Sequence, residues 1–339
     1  MGEPAGRGAL RGHVLGVDSG GSGLRIAVAR AEGADAHPLA SYASDEPVHT
    51  GPAGIDALHL LSQLLPAAEE LAREVGASGF VAACVGAAGM ASLGDDLRAR
   101  LPAALATAFG VRRLALAADA VTAYAGARGQ RPGAVLAAGT GVIALGTDLT
   151  PQGGWRRADG WGHLLGDCGS GAWIGRAGLE AALRAYDGRS GGSAALLARA
   201  EAVFGPAGGL PGALYPRADR PAVLASFAPE VARCATEDDA VARGILRAAA
   251  GHLADAAATV CPSGAESAVA CTGGLFDIGE PLLAPLRAAL AERLPGARPE
   301  VTPRSPLDGA LTIAGALAAD RLLLPPDTKL LQITRPVRG

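Results

Sequence analysis

Three aspartates stand beside apolar runs or glycine-rich turns: Asp18, Asp119 and Asp167. A carboxylate at the end of a strand can hold Mg²⁺ directly or through water. A carboxylate beside a hydroxyl group can take its proton during phosphoryl transfer. Asp119 follows the apolar run 113–118 and opens a predicted helix, so it is a candidate base, with a helix N-cap as the alternative interpretation. The pattern predicts chemistry on phosphate and hydroxyl groups.

The turn after Asp18 offers backbone and hydroxyl groups to a phosphate. Gly20 and Gly21 lack a Cβ, so backbone N–H groups can approach phosphate oxygens, and Ser22 adds a hydroxyl. A plain β-hairpin is the alternative interpretation. The turn is not a Walker A loop, since Lys329 is the only lysine, and not a dinucleotide fingerprint, because a strand follows it.

Two further glycine turns follow apolar runs. Gly139-Thr140-Gly141 repeats the chemistry of the first turn, and two such hairpins facing each other would clamp a triphosphate. Gly273 and Gly274 follow the run 269–272, where a flat adenine can lie against backbone, although alone this is only a turn. These positions extend the prediction from phosphate to a nucleotide.

The segment DGWGHLLGDCGSGAWIG (159–175) is dense in glycine, with Trp161, Gly162, His163 and Asp167 as candidates for binding a sugar. A carboxylate accepts hydrogen bonds from sugar hydroxyls, and a tryptophan can pack on a sugar face or fill the core. A histidine in such a segment is more often a structural hydrogen-bonding group.

The candidates must be positioned by alternating strands and helices. Strand–turn–strand patterns over 14–30 and 133–148 resemble each other, which indicates an internal duplication of one α/β unit. Further strands are predicted near 79–86, 113–118 and 267–272, with helices between them. This alternation predicts mixed sheets flanked by helices, with each glycine turn at a strand end, where open α/β sheets bind ligands.

Composition excludes several classes of protein. The 339 residues are 49% hydrophobic and 19% charged, with a net charge of −3, so the chain can bury a core and has no basic stripe for nucleic acid. Five cysteines without a CxxC pair argue against a zinc ribbon, an Fe–S cluster or a disulfide framework. Because no signal peptide or membrane span is recognisable, we expect a cytoplasmic protein.

Taken together, these motifs resemble the actin/hexokinase/Hsp70-like ATPase superfamily, and more narrowly the N-acetylglucosamine kinase branch grouped with the BadF/BadG/BcrA/BcrD ATPase domain. The resemblance covers roughly 14–320, and its most specific part is the match of 160–175 to the family pattern GWGxxxGDEGSxxWI. It implies two RNase H-like lobes, 12–118 and 119–323, with an interlobe cleft, and tails at 1–11 and 324–339.

The resemblance also implies roles for the candidate residues toward ATP, Mg²⁺ and a sugar. Asp119 would be the base for the sugar 6-hydroxyl. Asp18 would hold Mg²⁺. The phosphates would be bound by Asp18, Gly20, Gly21, Ser22, Gly139, Thr140 and Gly141. The adenine would lie against Gly273 and Gly274. The sugar would be bound by Trp161, Gly162, His163 and Asp167.

The sequence departs from the family pattern at four places. Ser22 replaces a threonine but keeps the hydroxyl, Val142 replaces a serine, and Cys168 replaces a glutamate. The sugar-contacting asparagine of the family has no clear match in 44–54. These changes bear on which sugar is bound.

The resulting hypothesis is an ATP-dependent amino-sugar kinase that makes N-acetylglucosamine 6-phosphate. Glucosamine, N-acetylmuramic acid and glucose are alternative substrates. A BadF-type ATPase that activates another enzyme, or a sugar-binding regulator without catalysis, are alternative functions. Homodimers are common in the resembling family, although nothing in the sequence marks an interface.

Overall fold

The computed structural model describes residues 12–20, 23–31, 37–46, 49–51, 54–263, 268–297 and 299–334. The strands, in chain order, are β1 (His13–Gly20), β2 (Gly23–Arg30), β3 (Pro38–Ser44), β4 (Thr50–Gly51), β5 (Gly54–Ile55), β6 (Phe80–Ala87), β7 (Arg113–Ala118), β8 (Gly133–Ala138), β9 (Val142–Thr147), β10 (Arg156–Asp159), β11 (Val269–Thr272), β12 (Pro299–Val301) and β13 (Leu331–Thr334). The α-helices are α1 (Ala57–Glu74), α2 (Met90–Leu93), α3 (Asp95–Phe109), α4 (Asp119–Arg128), α5 (Gly171–Tyr186), α6 (Ala194–Phe204), α7 (Leu210–Leu214), α8 (Arg220–Ala225), α9 (Ala228–Thr236), α10 (Ala240–Val260), α11 (Glu280–Arg293) and α12 (Pro306–Ala318).

The chain forms two compact units. The first unit contains residues 1–132, 148–155 and 303–339, and the second contains 133–147 and 156–302. Each unit holds one mixed β-sheet with helices packed on it, as the alternation of strands and helices predicts.

The sheet of the first unit has the order β13-β7-β6-β1-β2-β3. Strands β1, β6 and β7 are parallel to one another, whereas β2 pairs antiparallel with both β1 and β3. Helix α12 packs on β1 and β6, and its Leu311 lies directly over Gly16 of β1. A capping box between Ser305 and Asp308 begins this helix.

The sheet of the second unit has the order β10-β9-β8-β11-β12, with β11 parallel to β8 and β12. Its core lies between the sheet and α5, α9, α10 and α11, and alanine and leucine side chains fill it. Close packing on small residues explains how a chain with 4% aromatic residues builds two cores.

Both predicted hairpins are confirmed. In the first unit Gly20 pairs with Gly23, which leaves a two-residue turn, and in the second unit Ala138 pairs with Val142 across a three-residue turn. The repeated strand–turn–strand pattern therefore starts one sheet in each unit.

The prediction of a C-terminal tail over 324–339 is wrong. Residues Leu331–Thr334 form β13, an edge strand antiparallel to β7, and Leu331 is fully buried. A four-residue strand carries too little periodicity to be recognised, and its partner is more than 200 residues away in the sequence. The predicted tail at 1–11 lies outside the described residues.

The compact units differ from the predicted lobes in two respects. The second unit begins at Gly133 rather than at 119, because α4 packs against α12 in the first unit. The closing segment 303–334 also belongs to the first unit. The division into RNase H-like lobes over 12–118 and 119–323 stays a prediction.

Within the described residues, no helix has both the length and the apolar character that crossing a membrane requires.

Candidate active site

Asp18 and Asp119 lie at the same edge of the first sheet. Asp18 is near the end of β1 and pairs with Gly86 of β6, while Asp119 directly follows β7. Because β1, β6 and β7 are parallel, their carboxyl ends meet at one edge. The fold therefore brings together the two carboxylates that the sequence separates by a hundred residues.

The carboxylate of Asp18 is buried, with a relative exposure of 7% for the residue. Burial raises the pKa of Asp18 to about 6, against the opposing effect of the Arg25 guanidinium and with a further increase from Asp119. Arg25 Nη1 lies 3.9 Å from Asp18 Oδ2, across the β1–β2 pair. Because the Arg25 guanidinium offsets only part of the effect of burial on Asp18, this carboxylate is suited to binding a cation.

Asp119 is half-buried and is the first residue of α4. Its Oδ1 accepts a hydrogen bond from the backbone N of Ala120 at 2.9 Å. The N-cap position belongs to Ala118, so the alternative interpretation of Asp119 as the N-cap is not what the structure shows. The positive end of the α4 dipole favours the ionised carboxylate, which is the form a base requires.

The first glycine turn is described only at its borders. Gly20 ends β1, and a side-chain carbon built on it would meet no atom within 4 Å. Gly21 and Ser22 lie outside the described residues. Gly20 therefore leaves open space beside the backbone at the strand end that carries Asp18.

The turn Gly139-Thr140-Gly141 is fastened to the start of α5. Gly139 N donates to Gly141 O at 2.8 Å, which closes the turn. The backbone N atoms of Gly171 and Ala172, in the first turn of α5, donate to the carbonyls of Gly139 and Thr140 at 2.9 and 3.1 Å. The turn is thus rigidly attached to a helix, while the Cβ side of Gly139 faces open space.

Asp167 joins the following loop to this turn. Its carboxylate is buried, and its Oδ1 accepts a hydrogen bond from Gly162 N at 3.1 Å. Burial raises the pKa of Asp167, and backbone hydrogen bonds from Gly162 and Val142 oppose the increase. A side chain at position 141 would bring its Cβ within 2.6 Å of Asp167 Oδ2, so any residue other than glycine would displace this carboxylate. The carboxylate therefore orders the loop, whether or not it also contacts a sugar.

Asp159 is a residue whose role the sequence analysis missed. Its Oδ1 accepts from the backbone N of Asp167 at 2.6 Å and of Gly160 at 2.8 Å, and its Oδ2 accepts from Cys168 N at 2.9 Å. The residue has φ +60°, a left-handed conformation that aspartate tolerates better than most residues. The Asp-Gly dipeptide at 159–160 is the sequence signal, because it is typical of tight turns.

The segment between the two aspartates projects into solvent. Trp161 is 66% exposed, and the Arg157 guanidinium carbon lies 4.5 Å from its ring centroid. Leu164 and Leu165 are also exposed, and His163 is half-buried. Trp161 does not fill the core, so it is available for stacking on a ligand.

Gly273 lies at the same sheet edge as the turn at 139–141. It follows β11, which is parallel to β8, and it has φ +102°. A Cβ at this position would lie 2.3 Å from the carbonyl oxygen of Ala138, whereas at Gly274 the nearest atom is Asp277 Oδ2 at 3.6 Å. Gly273 thus permits close backbone approach between the ends of β8 and β11.

The structure accordingly divides the predicted residues into two sets. The first unit holds Asp18, Gly20 and Asp119 at one sheet edge. The second unit holds the turn at 139–141, the loop at 159–168 and Gly273 and Gly274. The individual roles assigned to these residues stay predictions.

The model of the BadF/BadG/BcrA/BcrD ATPase family matches residues 15–317. Among curated proteins, the N-acetylmuramic acid/N-acetylglucosamine kinase of Clostridium acetobutylicum is 42% identical over 71 residues, which are 21% of this chain. The match spans only 22% of that relative's length.

Solved structures similar to the chain match most of its length. A proposed N-acetylglucosamine kinase from Chromobacterium violaceum is 28% identical with a TM-score of 0.66, and the match covers 88% of this chain and 98% of that one. A similar protein from Porphyromonas gingivalis is 18% identical with a TM-score of 0.65, covering 88% and 97%. A ROK family glucokinase from Streptomyces griseus, solved with glucose and AMPPNP, is 19% identical with a TM-score of 0.52, covering 91% and 98%. The last two show the fold alone, which is a mixed α/β fold with two sheets flanked by helices.

Proposed function

The chain belongs to the BadF/BadG/BcrA/BcrD ATPase family, and from this premise we propose that it is an ATP-dependent sugar kinase acting on an amino sugar. We propose N-acetylglucosamine as the substrate and its 6-phosphate as the product, with N-acetylmuramic acid as the nearest alternative. The names of similar proteins support an amino sugar of this kind. Glucosamine and glucose are further alternatives.

The observation that carries the proposal is the pair of carboxylates at one sheet edge. Phosphoryl transfer to a hydroxyl needs a base and a metal-binding group close together. Asp18 is buried, and the charge of Asp119 adds to the increase in its pKa, which supports the assignment of these two groups to this pair.

The residues present fit Mg²⁺ and ATP. Two neighbouring carboxylates, one of them buried and incompletely compensated by Arg25 at 3.9 Å, form an oxygen donor set suited to a hard cation. The open space beside Gly20 and beside Gly139 leaves room for phosphate oxygens next to these two turns. When bound, Mg²⁺ neutralises charge on the phosphates.

Asp119 acts as the base in this proposal. Its Oδ1 accepts a hydrogen bond from Ala120 N, which helps to fix the orientation of the carboxylate at the start of α4. As the sugar oxygen attacks the terminal phosphorus, Asp119 takes the hydroxyl proton, and the bond to the leaving ADP oxygen breaks. Trp161 supplies an exposed aromatic face for the sugar.

The alternative function of a BadF-type activator requires cysteines that share an Fe–S cluster between subunits. All five cysteines lie in the described part of the chain; Cys84, Cys234, Cys261 and Cys271 are buried, and Cys168 is half-buried. Because buried thiols cannot reach a partner subunit, we expect the purified protein to be colourless and free of an Fe–S cluster. A protein coloured by a bound cluster with inorganic sulfide would favour the activator.

An ADP-release assay with a panel of sugars tests the proposed function. We expect release that depends on N-acetylglucosamine or N-acetylmuramic acid and is weaker with glucosamine or glucose. Release that is the same without any sugar would contradict a sugar kinase and would indicate an ATPase.

Asp119→Asn tests the proposed base. We expect kcat to fall by about 10²–10⁴-fold, with little change in the binding of ATP and sugar. Asp95→Asn is the matched control, since Asp95 is also the first residue of a helix in the first unit but its side chain is exposed. A near-normal kcat in Asp119→Asn would show that another group is the base.

A further inference from the structure

A cluster of metal-ligating side chains includes none of the candidate active-site residues. Glu46 and His49 follow β3, and His59 lies in the first turn of α1. One ligand atom from each of the three lies within 4.8 Å of the others. We propose that Glu46, His49 and His59 bind a divalent transition-metal ion of the zinc type, which fastens the segment after β3 to α1.

The donor set selects the class of ion. Two imidazoles and one carboxylate suit borderline ions such as Zn²⁺, whereas Mg²⁺ prefers oxygen ligands alone. Three protein ligands with water in the fourth position are a common arrangement for Zn²⁺. The cluster is therefore chemically distinct from the pair Asp18 and Asp119.

Part of the required geometry is already in place. Zinc–ligand bonds of about 2.0–2.2 Å put two ligand atoms of a tetrahedral site roughly 3.4 Å apart. His59 Nε2 lies 3.1 Å from Glu46 Oε1, close to this spacing. The His49 ring stacks on the His59 ring with centroids 3.7 Å apart. Glu46 and His49 are exposed, so their side chains can rotate to complete the site.

The hydrogen bonds of His59 indicate how the ring adapts to a metal. Its Nδ1 accepts from His49 N over a long distance of 3.4 Å, which places the ring proton on Nε2, toward Glu46. With the metal on Nε2, the proton moves to Nδ1, and the long contact with His49 N is given up. The ring stays neutral, which is the ligating form.

Gln63 borders the cluster and is a further candidate ligand. It lies one turn after His59 on α1, with its Nε2 3.4 Å from His59 Nε2. Its Oε1 is inaccessible to solvent and has no hydrogen-bond partner among the described residues. Rotating the amide by 180° exchanges the two atoms and puts the oxygen on the side of His59 Nε2, where it can serve as a fourth ligand.

The position of the cluster gives the ion a structural consequence. Ser44, the last residue of β3, pairs with Leu24 near the start of β2. Since β1 and β3 both pair antiparallel with β2, β3 ends at the sheet edge that carries Asp18. The ion would therefore link Glu46 and His49, which follow β3 at this edge, to His59 of α1.

Zinc titration of the untagged, full-length protein tests the proposal. The protein is stripped with a chelator and titrated with Zn²⁺ against a chromophoric zinc indicator, without nucleotide or sugar. We expect one equivalent to bind, and at least tenfold weaker binding in His49→Ala, His59→Ala and Glu46→Gln. His37→Ala is the matched control, because His37 is an exposed histidine at the approach to β3; it should bind like the wild type.

Hydrogen exchange provides a second measurement. Zn²⁺ should slow amide exchange across 49–60 in the wild type but not in His59→Ala. The proposal is overturned if one equivalent does not bind, or if the ligand variants bind as the wild type does. Because neither measurement uses substrates, failure of this proposal is separate from failure of the proposed kinase function.

Discussion

At the scale of one residue, burial of the Asp18 carboxylate lowers the stability of the folded chain at neutral pH. Its pKa of about 6 in the folded chain lies above the ordinary value of 3.8, chiefly because of burial. The folded state therefore holds the proton more tightly than the unfolded state. Proton binding at Asp18 therefore stabilises the folded state. This stabilisation is complete below about pH 4 and is lost as the pH rises through about 6.

Asp18→Asn should remove this dependence, because an amide does not titrate. Relative to the wild type, the variant should gain up to roughly 3 kcal/mol in the free energy of unfolding between about pH 4 and pH 7.5. Urea unfolding without Mg²⁺ measures both proteins at both pH values. Parallel pH profiles for the two proteins would mean that the carboxylate is not destabilised in the fold.

Asp159 acts through the loop that it holds. Asp159→Ala leaves three backbone N–H groups without their acceptor, so we expect turnover to fall tenfold or more and protease cleavage near 160–168 to accelerate. Asp148→Ala is the control, since Asp148 accepts from Thr150 N at 2.9 Å in a turn of the first unit. Equal turnover in both variants would argue against a positioning role for Asp159.

At the scale of elements, the ends of β8 and β11 meet where Gly273 allows it. Gly273→Ala must adopt φ +102° and push against the Ala138 carbonyl at 2.3 Å. We expect a loss of at least about 2 kcal/mol in stability, measured by urea unfolding, with weaker binding of ATP. Gly274→Ala, whose Cβ would make only an ordinary contact with Asp277 Oδ2 at 3.6 Å, should change stability by well under half of this amount. Similar losses in both variants would contradict the proposed strain.

The same elements show what local sequence can reveal. The hairpins β1–β2 and β8–β9 were predictable, because apolar strands flank glycine turns within 20 residues. Strand β13 was not, since four residues pairing with β7 across the chain leave no local pattern. Helix α12 was predictable, but its place against Gly16 was not, because nothing near Leu311 in the sequence marks that contact. The hydrogen bonds that the Asp159 carboxylate accepts likewise depend on a loop conformation that amino-acid composition does not specify.

At the scale of the whole molecule, each unit has its own core. Leu311 is fully buried in the first unit over Gly16, and Leu253 is fully buried in the second. Leu311→Ala should cost about 2–5 kcal/mol and accelerate hydrogen exchange in β1 and β6, while α10 exchanges as before. Leu253→Ala should give the reverse pattern. If either variant accelerates exchange equally in both units, the chain unfolds as one cooperative body.

The path of the chain through the two units sets the order in which they can be completed during synthesis. The second unit ends at residue 302, whereas the first unit still lacks α12 and β13 at that point. The ribosome therefore releases every residue of the second unit before the last helix and edge strand of the first. Until then, the face of β1 and β6 that α12 covers stays exposed on the nascent chain. The N-terminal half, although made first, is the last to become a finished structure.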